Sequence, residues 1–150
     1  MADSADPTVT TPELTRQVTR GVCRYLSDLG YSVLTEFTLR NGRRADVIGL
    51  ADDGGVVIVE VKTSVADLKA DQKWPEYEDF CDRLYFATPR DFALELLPST
   101  CGILVADNWG ADEIRAAEIT PLHASRRRVL TLKLARKAAQ RLYDLTDPKL

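Results

Sequence analysis

Residues 44–64 read RADVIGLADDGGVVIVEVKTS. Two apolar runs, RRADVIGL (43–50) and VVIVEVK (56–62), flank the turn-forming ADDGG of 51–55. That pattern predicts an antiparallel hairpin. With the loop centred on Asp53, Leu50 faces Val56, Ile48 faces Ile58, Asp46 faces Glu60 and Arg44 faces Lys62. Opposed residues share one face of a sheet, so this face passes from apolar pairs to two acids and then to two bases. The other face of the second run, Val57, Val59 and Val61, is wholly apolar. A strand apolar on both faces suits the centre of a sheet.

The opposed acids need compensation. Two carboxylates about 5 Å apart repel by roughly 3 kcal/mol at an effective dielectric near 20, and desolvation adds to this. Arg44 and Lys62 offset part of it. A divalent cation offsets more, because Mg²⁺ (or Mn²⁺) takes hard oxygen ligands, commonly one or two carboxylates plus waters. Such an ion acidifies a bound water and polarises a phosphoryl oxygen. A neighbouring lysine can position or deprotonate that water and stabilise the charge that develops. The chemistry that follows is phosphodiester hydrolysis. A one-residue slip in register would send the acids to opposite faces, and a solvated strand end with Asp46 paired to Arg44 is the plain alternative.

Outward from the hairpin, YSVLTEFTL (31–39) is a strand joined to it through Asn41-Gly42, a strong hairpin signal. The three strands form an antiparallel meander. Upstream, Thr11 is a candidate cap and Pro12 suits the first turn of a helix. That helix carries Leu14, Val18, Val22, Tyr25, Leu26 and Leu29 as one stripe and stops at Gly30. Downstream, Ser64 caps a short helix that Pro75 interrupts, and RLYFAT (83–88) is a buried strand. A helical crossover between strands makes them parallel. DFALELL reads as a short helix, CGILVAD and EIRAAEI (113–119) as strands, and Ser125 as the cap of a last helix with Leu130, Leu134, Ala138 and Leu142 inward. The expected class is α/β, with a mixed central sheet between helices.

The chain has 150 residues, 45 % of them hydrophobic and 29 % charged. These values fit a loose acidic tail over 1–10 and a single globular domain over 11–150. MADSADPTVT is no secretory signal, no run is long enough to span a bilayer, and three scattered cysteines point to a reducing cytoplasm and away from a zinc site. Residues 1–120 hold 12 basic against 21 acidic side chains, whereas 121–143 hold seven basic and no acidic ones. A ridge of Lys133, Lys137 and Arg141, preceded by Arg126, Arg127 and Arg128, can bind a polyanion such as DNA through charge alone. A solvated face balancing an acidic body is the alternative. Lys69 and Lys73 follow the hairpin and can also meet phosphates. Trp74 and Tyr77, three apart, can stack on a base but suit a core position better.

The pattern of Asp46 followed by Glu60-Val61-Lys62, on a hairpin between two helices, resembles the PD-(D/E)xK nuclease superfamily, with Ala45 in place of the proline. The stretches EFTLRNGRRADVIGL, IVEVKTS, DQKWPEYEDFCDRLYFAT and LVADNWG are similar to the MmcB-type family of bacterial DNA-repair proteins, described as candidate endonucleases. The resemblance runs from about residue 13 to about residue 145. It implies a restriction-endonuclease-like core, a role in DNA repair and a DNA partner. It further implies Asp46, Glu60 and the Val61 carbonyl as metal ligands and Lys62 as the catalytic lysine; Arg44, a base on the same hairpin face, is a further candidate contact to DNA. Glu13 matches the first-helix acid of some such nucleases, though its place at a helix start explains it equally. Glu36 is a possible third carboxylate: a strict two-residue Asn-Gly turn puts Phe37 opposite Asp46 and turns Glu36 away, whereas a bulge reverses that. Two alternatives to cleavage stand beside this one, a silent DNA-structure-binding module and a subunit recruited by a repair-protein partner.

Overall fold

The protein is described here over residues 9–149, from a computed structural model. Most of the tail expected over 1–10 therefore lies outside the described residues. Helix α1 spans Thr11–Asp28. Its cap is Thr10 and not Thr11: Thr10 Oγ1 accepts the Glu13 N–H at 3.3 Å. Pro12 is tolerated one position further in because that N–H also lacks a helical acceptor. Gly30, at φ +95°, ends the helix as expected.

Six strands follow, β1 (Ser32–Thr38), β2 (Arg44–Leu50), β3 (Val56–Val61), β4 (Arg83–Thr88), β5 (Gly102–Ala106) and β6 (Ala111–Arg115), ordered in one sheet as numbered. β1, β2 and β3 are the antiparallel meander. β3, β4 and β5 run parallel, and β6 returns antiparallel. Between β3 and β4 the chain makes α2 (Val65–Ala70), capped by Ser64 Oγ on the Asp67 N–H, and a 3₁₀ segment, Trp74–Phe80. Every residue of β3 is buried. Val57, Val59 and Val61 pack with Val18, Val22 and Leu26 of α1. Ile58 and Phe86 lie on the opposite face with Leu68, Tyr77, Leu130 and Leu134. At Gly21 a side chain would meet the Asp107 carbonyl at 1.9 Å, so only glycine lets α1 lie this close to the β5–β6 turn.

The β2–β3 register is the expected one, Leu50 to Val56 and Ile48 to Ile58. The β1–β2 turn differs. Leu39 N–H donates to the Arg43 carbonyl at 2.7 Å, closing a three-residue loop with Gly42 at φ +84° and Asn41 Oδ1 accepting the Arg43 N–H. The register moves by one and Phe37 faces Ala45. DFALELL supplies only a 3₁₀ turn, Leu94–Leu96, and β6 begins two residues before and ends four residues before the expected 113–119.

Helix α3 (Ala124–Thr146) starts at His123, with no side-chain cap, so Ser125 lies inside it. Leu130 and Leu134 are its buried residues, but Leu142 is 63 % exposed. The expected inward stripe therefore stops at Leu134, because a row of every fourth residue drifts by about 40° per step round a helix of about 3.6 residues per turn; by Leu142 it has left the packed side, which Arg141 occupies instead. Asp82 fastens its first turns. Asp82 Oδ1 and Oδ2 receive Arg127 at 2.6 and 2.7 Å and also take the Leu122 and Val56 amides. Among the described residues no helix is long and apolar enough to cross a membrane.

Candidate functional site

The site forms where β2 leaves β3. The ladder between them is paired from Leu50–Val56 to Val47–Val59 and goes no further. Past that point the Asp46 carboxylate replaces backbone pairing: its Oδ2 accepts the Val61 N–H at 2.8 Å. The other edge of β2 opens at the same level. Thr35–Val47 and Phe37–Ala45 are paired, but Glu36 and Asp46 between them are not. Glu36 has φ +49°, a left-handed conformation unusual for a residue with a Cβ. Arg141 of α3 secures this break, donating to the carbonyls of Thr35 at 2.7 Å and Glu36 at 2.9 Å.

Glu60 is 3 % exposed, and its Oε1 is buried without a hydrogen-bond partner. Burial, together with the adjacent Asp46 carboxylate, pushes its carboxyl up to about 10, against the opposing pull of Lys62 and of the Tyr77 phenol. Tyr77 OH donates to the Arg44 carbonyl at 3.1 Å. Burial and the Glu60 and Asp46 charges drive its own ionisation upward. Lys62 Nζ lies 2.8 Å from Asp71 Oδ2, at the end of α2, with both side chains largely covered. The parallel register that sets Val61 beside Ala87 sets Lys62 beside Thr88 on the Glu60 face. Thr88 is fully buried and its Oγ1 also lacks a partner.

Asp46 and Glu60 thus converge electrostatically, but the ladder does not pair them. The expected Arg44–Lys62 opposition is absent too, because the ladder ends before it, and Lys62 pairs with Asp71 instead. Glu36 is level with Asp46 yet exposed. Among the described residues no three carboxylate, thiol or imidazole side chains gather as a metal site, so any ion here has two carboxylates and backbone oxygen. The donor chemistry suits a hard divalent cation: one buried, unpartnered carboxylate oxygen beside a second carboxylate, with the Val61 carbonyl adjoining.

The other predicted contacts scatter. Arg44, Lys69 and Lys73 are exposed. Trp74 packs edge-on to Phe86, 5.9 Å between centroids, so it belongs to the core. Arg126 lies over Phe80 and donates to the Asp79 carbonyl, Arg127 is held by Asp82, and Lys133 lies over Phe37. With Arg141 on its carbonyls, Lys137 is left as the exposed member of the ridge. Glu13 takes its place in the helix cap. Sequence reasoning missed Asp71, which no spacing marks, and Thr88, which the parallel pairing of RLYFAT with IVEVK would have placed.

Known proteins agree with this architecture. A family model described as "DNA repair protein MmcB-like" matches residues 3–149. No curated protein matches the chain. Among solved structures it is similar to SPO1766, a protein of unknown function from Silicibacter pomeroyi, with a TM-score of 0.86 and 41 % identity over 89 % of this chain and 92 % of that one. With a match that spans nearly its whole length, the chain belongs to the MmcB-like family of DNA repair proteins.

Proposed function

We propose that the protein is a metal-dependent endodeoxyribonuclease of DNA repair, built on the PD-(D/E)xK core. The observation that carries this is the buried, unpartnered Glu60 Oε1 beside Asp46 and Lys62. Asp46, oriented by the Val61 amide, and Glu60, with the Val61 carbonyl, would hold Mg²⁺ or Mn²⁺. When bound, the ion supplies Lewis-acid activation of a phosphoryl oxygen and an acidified water. The protein's own side chains do the rest. Glu60, almost closed off from solvent, would hold the ion through its carboxylate form. Lys62 keeps a positive charge beside the scissile phosphate, and Asp71 fixes where that charge stands. The exposed Arg44, Lys69 and Lys73 meet flanking phosphates of DNA.

The test is nicking of duplex, single-stranded and forked DNA with and without Mg²⁺ or Mn²⁺. The expected result is metal-dependent cleavage that falls by about 10² or more in Asp46→Ala and in Lys62→Ala. Activity unchanged in both variants would overturn the assignment. The Lys62–Asp71 pair supports a second reading, a silent fold that binds DNA structures, because it occupies the lysine. That reading predicts salt-sensitive DNA binding with no cleavage under any metal.

A further inference from the structure

We propose that the outward face of α3 is a docking surface for one acidic, amphipathic helix of a protein partner. Helix α3 is apolar on two opposite sides. Leu130 and Leu134 are buried in the body, with Arg141 below them on the same side. Facing away are Val129, Leu132, Arg136, Ala139 and Tyr143, spaced three, four, three and four residues. That alternation is the seam of a two-helix coiled coil. Leu132 and Tyr143 are 58 % and 55 % exposed on this open side of the helix. Exposed apolar side chains aligned along one helix face in this way point to an interaction site.

Charge selects the occupant. Among the described residues Arg128, Arg136 and Lys137 have no ionic or hydrogen-bond partner, and no acid occurs anywhere in 121–143. Arg136 stands within the seam itself. A second copy of α3 would bring cation against cation in either orientation. A DNA backbone would satisfy the cations but leave Val129, Leu132 and Tyr143 without a partner. A helix with leucines at matching spacing and glutamates beside them satisfies both. This surface is independent of the nuclease reading.

The experiment is fluorescence anisotropy of the full-length protein with three probes. These are a synthetic helical peptide bearing leucines at three- and four-residue spacing with flanking glutamates, the same peptide with lysines for glutamates, and a DNA duplex. Sedimentation across concentration runs in parallel. The expected result is saturable binding of the acidic peptide, roughly ten-fold or more weaker in Leu132→Asp and again in Arg136→Glu. Asp46→Ala should bind as the parent does, which keeps this outcome separate from that of the cleavage test. Both seam variants alter exposed side chains, and an unchanged unfolding midpoint checks their integrity. No saturable binding overturns the proposal, as does equal affinity for the lysine peptide. DNA binding lost in Arg136→Glu without peptide binding, or self-association lost in Leu132→Asp, overturns it equally.

Discussion

At Glu60, burial and a neighbouring carboxylate act in the same direction, and the consequence is measurable. An acid raised from 4.5 to about 10 on folding binds its proton more tightly in the folded chain. Its contribution to stability is complete below pH 4.5 and drains away as pH rises toward 10. In EDTA, unfolding by urea should therefore become easier as pH climbs through neutrality, and Glu60→Gln should flatten that slope. Mg²⁺ should raise the midpoint of the parent more at pH 8.5 than at pH 6, because the ion competes with a proton. A slope that Glu60→Gln leaves intact would assign the effect to other groups. That Asp46 and Glu60 would be neighbours was legible in the sequence because side chains alternate along a hairpin, although the ladder stops before pairing them. The partners of Lys62 and Glu60 were not, since Asp71 and Tyr77 reach the site across a crossover whose path no local pattern fixes.

Among the elements, the β2–β3 hairpin, the crossover and the last helix meet at Asp82. Burial would raise its carboxyl, yet the Arg127 guanidinium and the Leu122 and Val56 amides outweigh this and hold it down at about 2. Arg127 also donates to the Gly54 carbonyl in the hairpin loop. Replacing Asp82 by alanine leaves a cation and two amides unmatched. The expected loss is about 3 kcal/mol of unfolding free energy, the low end for a broken buried pair because Arg127 keeps some solvent. For the parent, this clamp's share of stability is present above pH 3.8 and lost as pH falls toward 2. An acid titration followed by circular dichroism should show that step in the parent and not in Asp82→Ala. Element type was readable almost throughout from periodicity. The ends were less so: Asn41-Gly42 signals a turn but not its length, and one extra loop residue sets Glu36 level with Asp46, while the left-handed backbone at Glu36 leaves Phe37 over the core.

For the molecule as a whole, the order helix, meander, crossover, parallel strands could be derived from residues 11–107, because each strand is bounded by turn chemistry and β3 is apolar on both faces. The reach of α3 could not. A row of apolar residues at every fourth position reads as a buried stripe, but on a helix of about 3.6 residues per turn the row drifts off the packed side, and burial ends at Leu134. What the far end of that helix does instead is hold the edge strand. Arg141→Ala should speed amide hydrogen exchange around residues 34–38 and 45–47 by about ten-fold while leaving β4 and β5 protected. Uniform loosening of the sheet would show that the contact is merely global.

The grip of Arg141 on Thr35 spans 106 positions of chain. A ribosome delivers residues in order, so the hairpin bearing Asp46 and Glu60 emerges long before the side chain that braces its neighbour. Until Arg141 has emerged, the growing polypeptide thus carries its acids beside an unbraced edge strand.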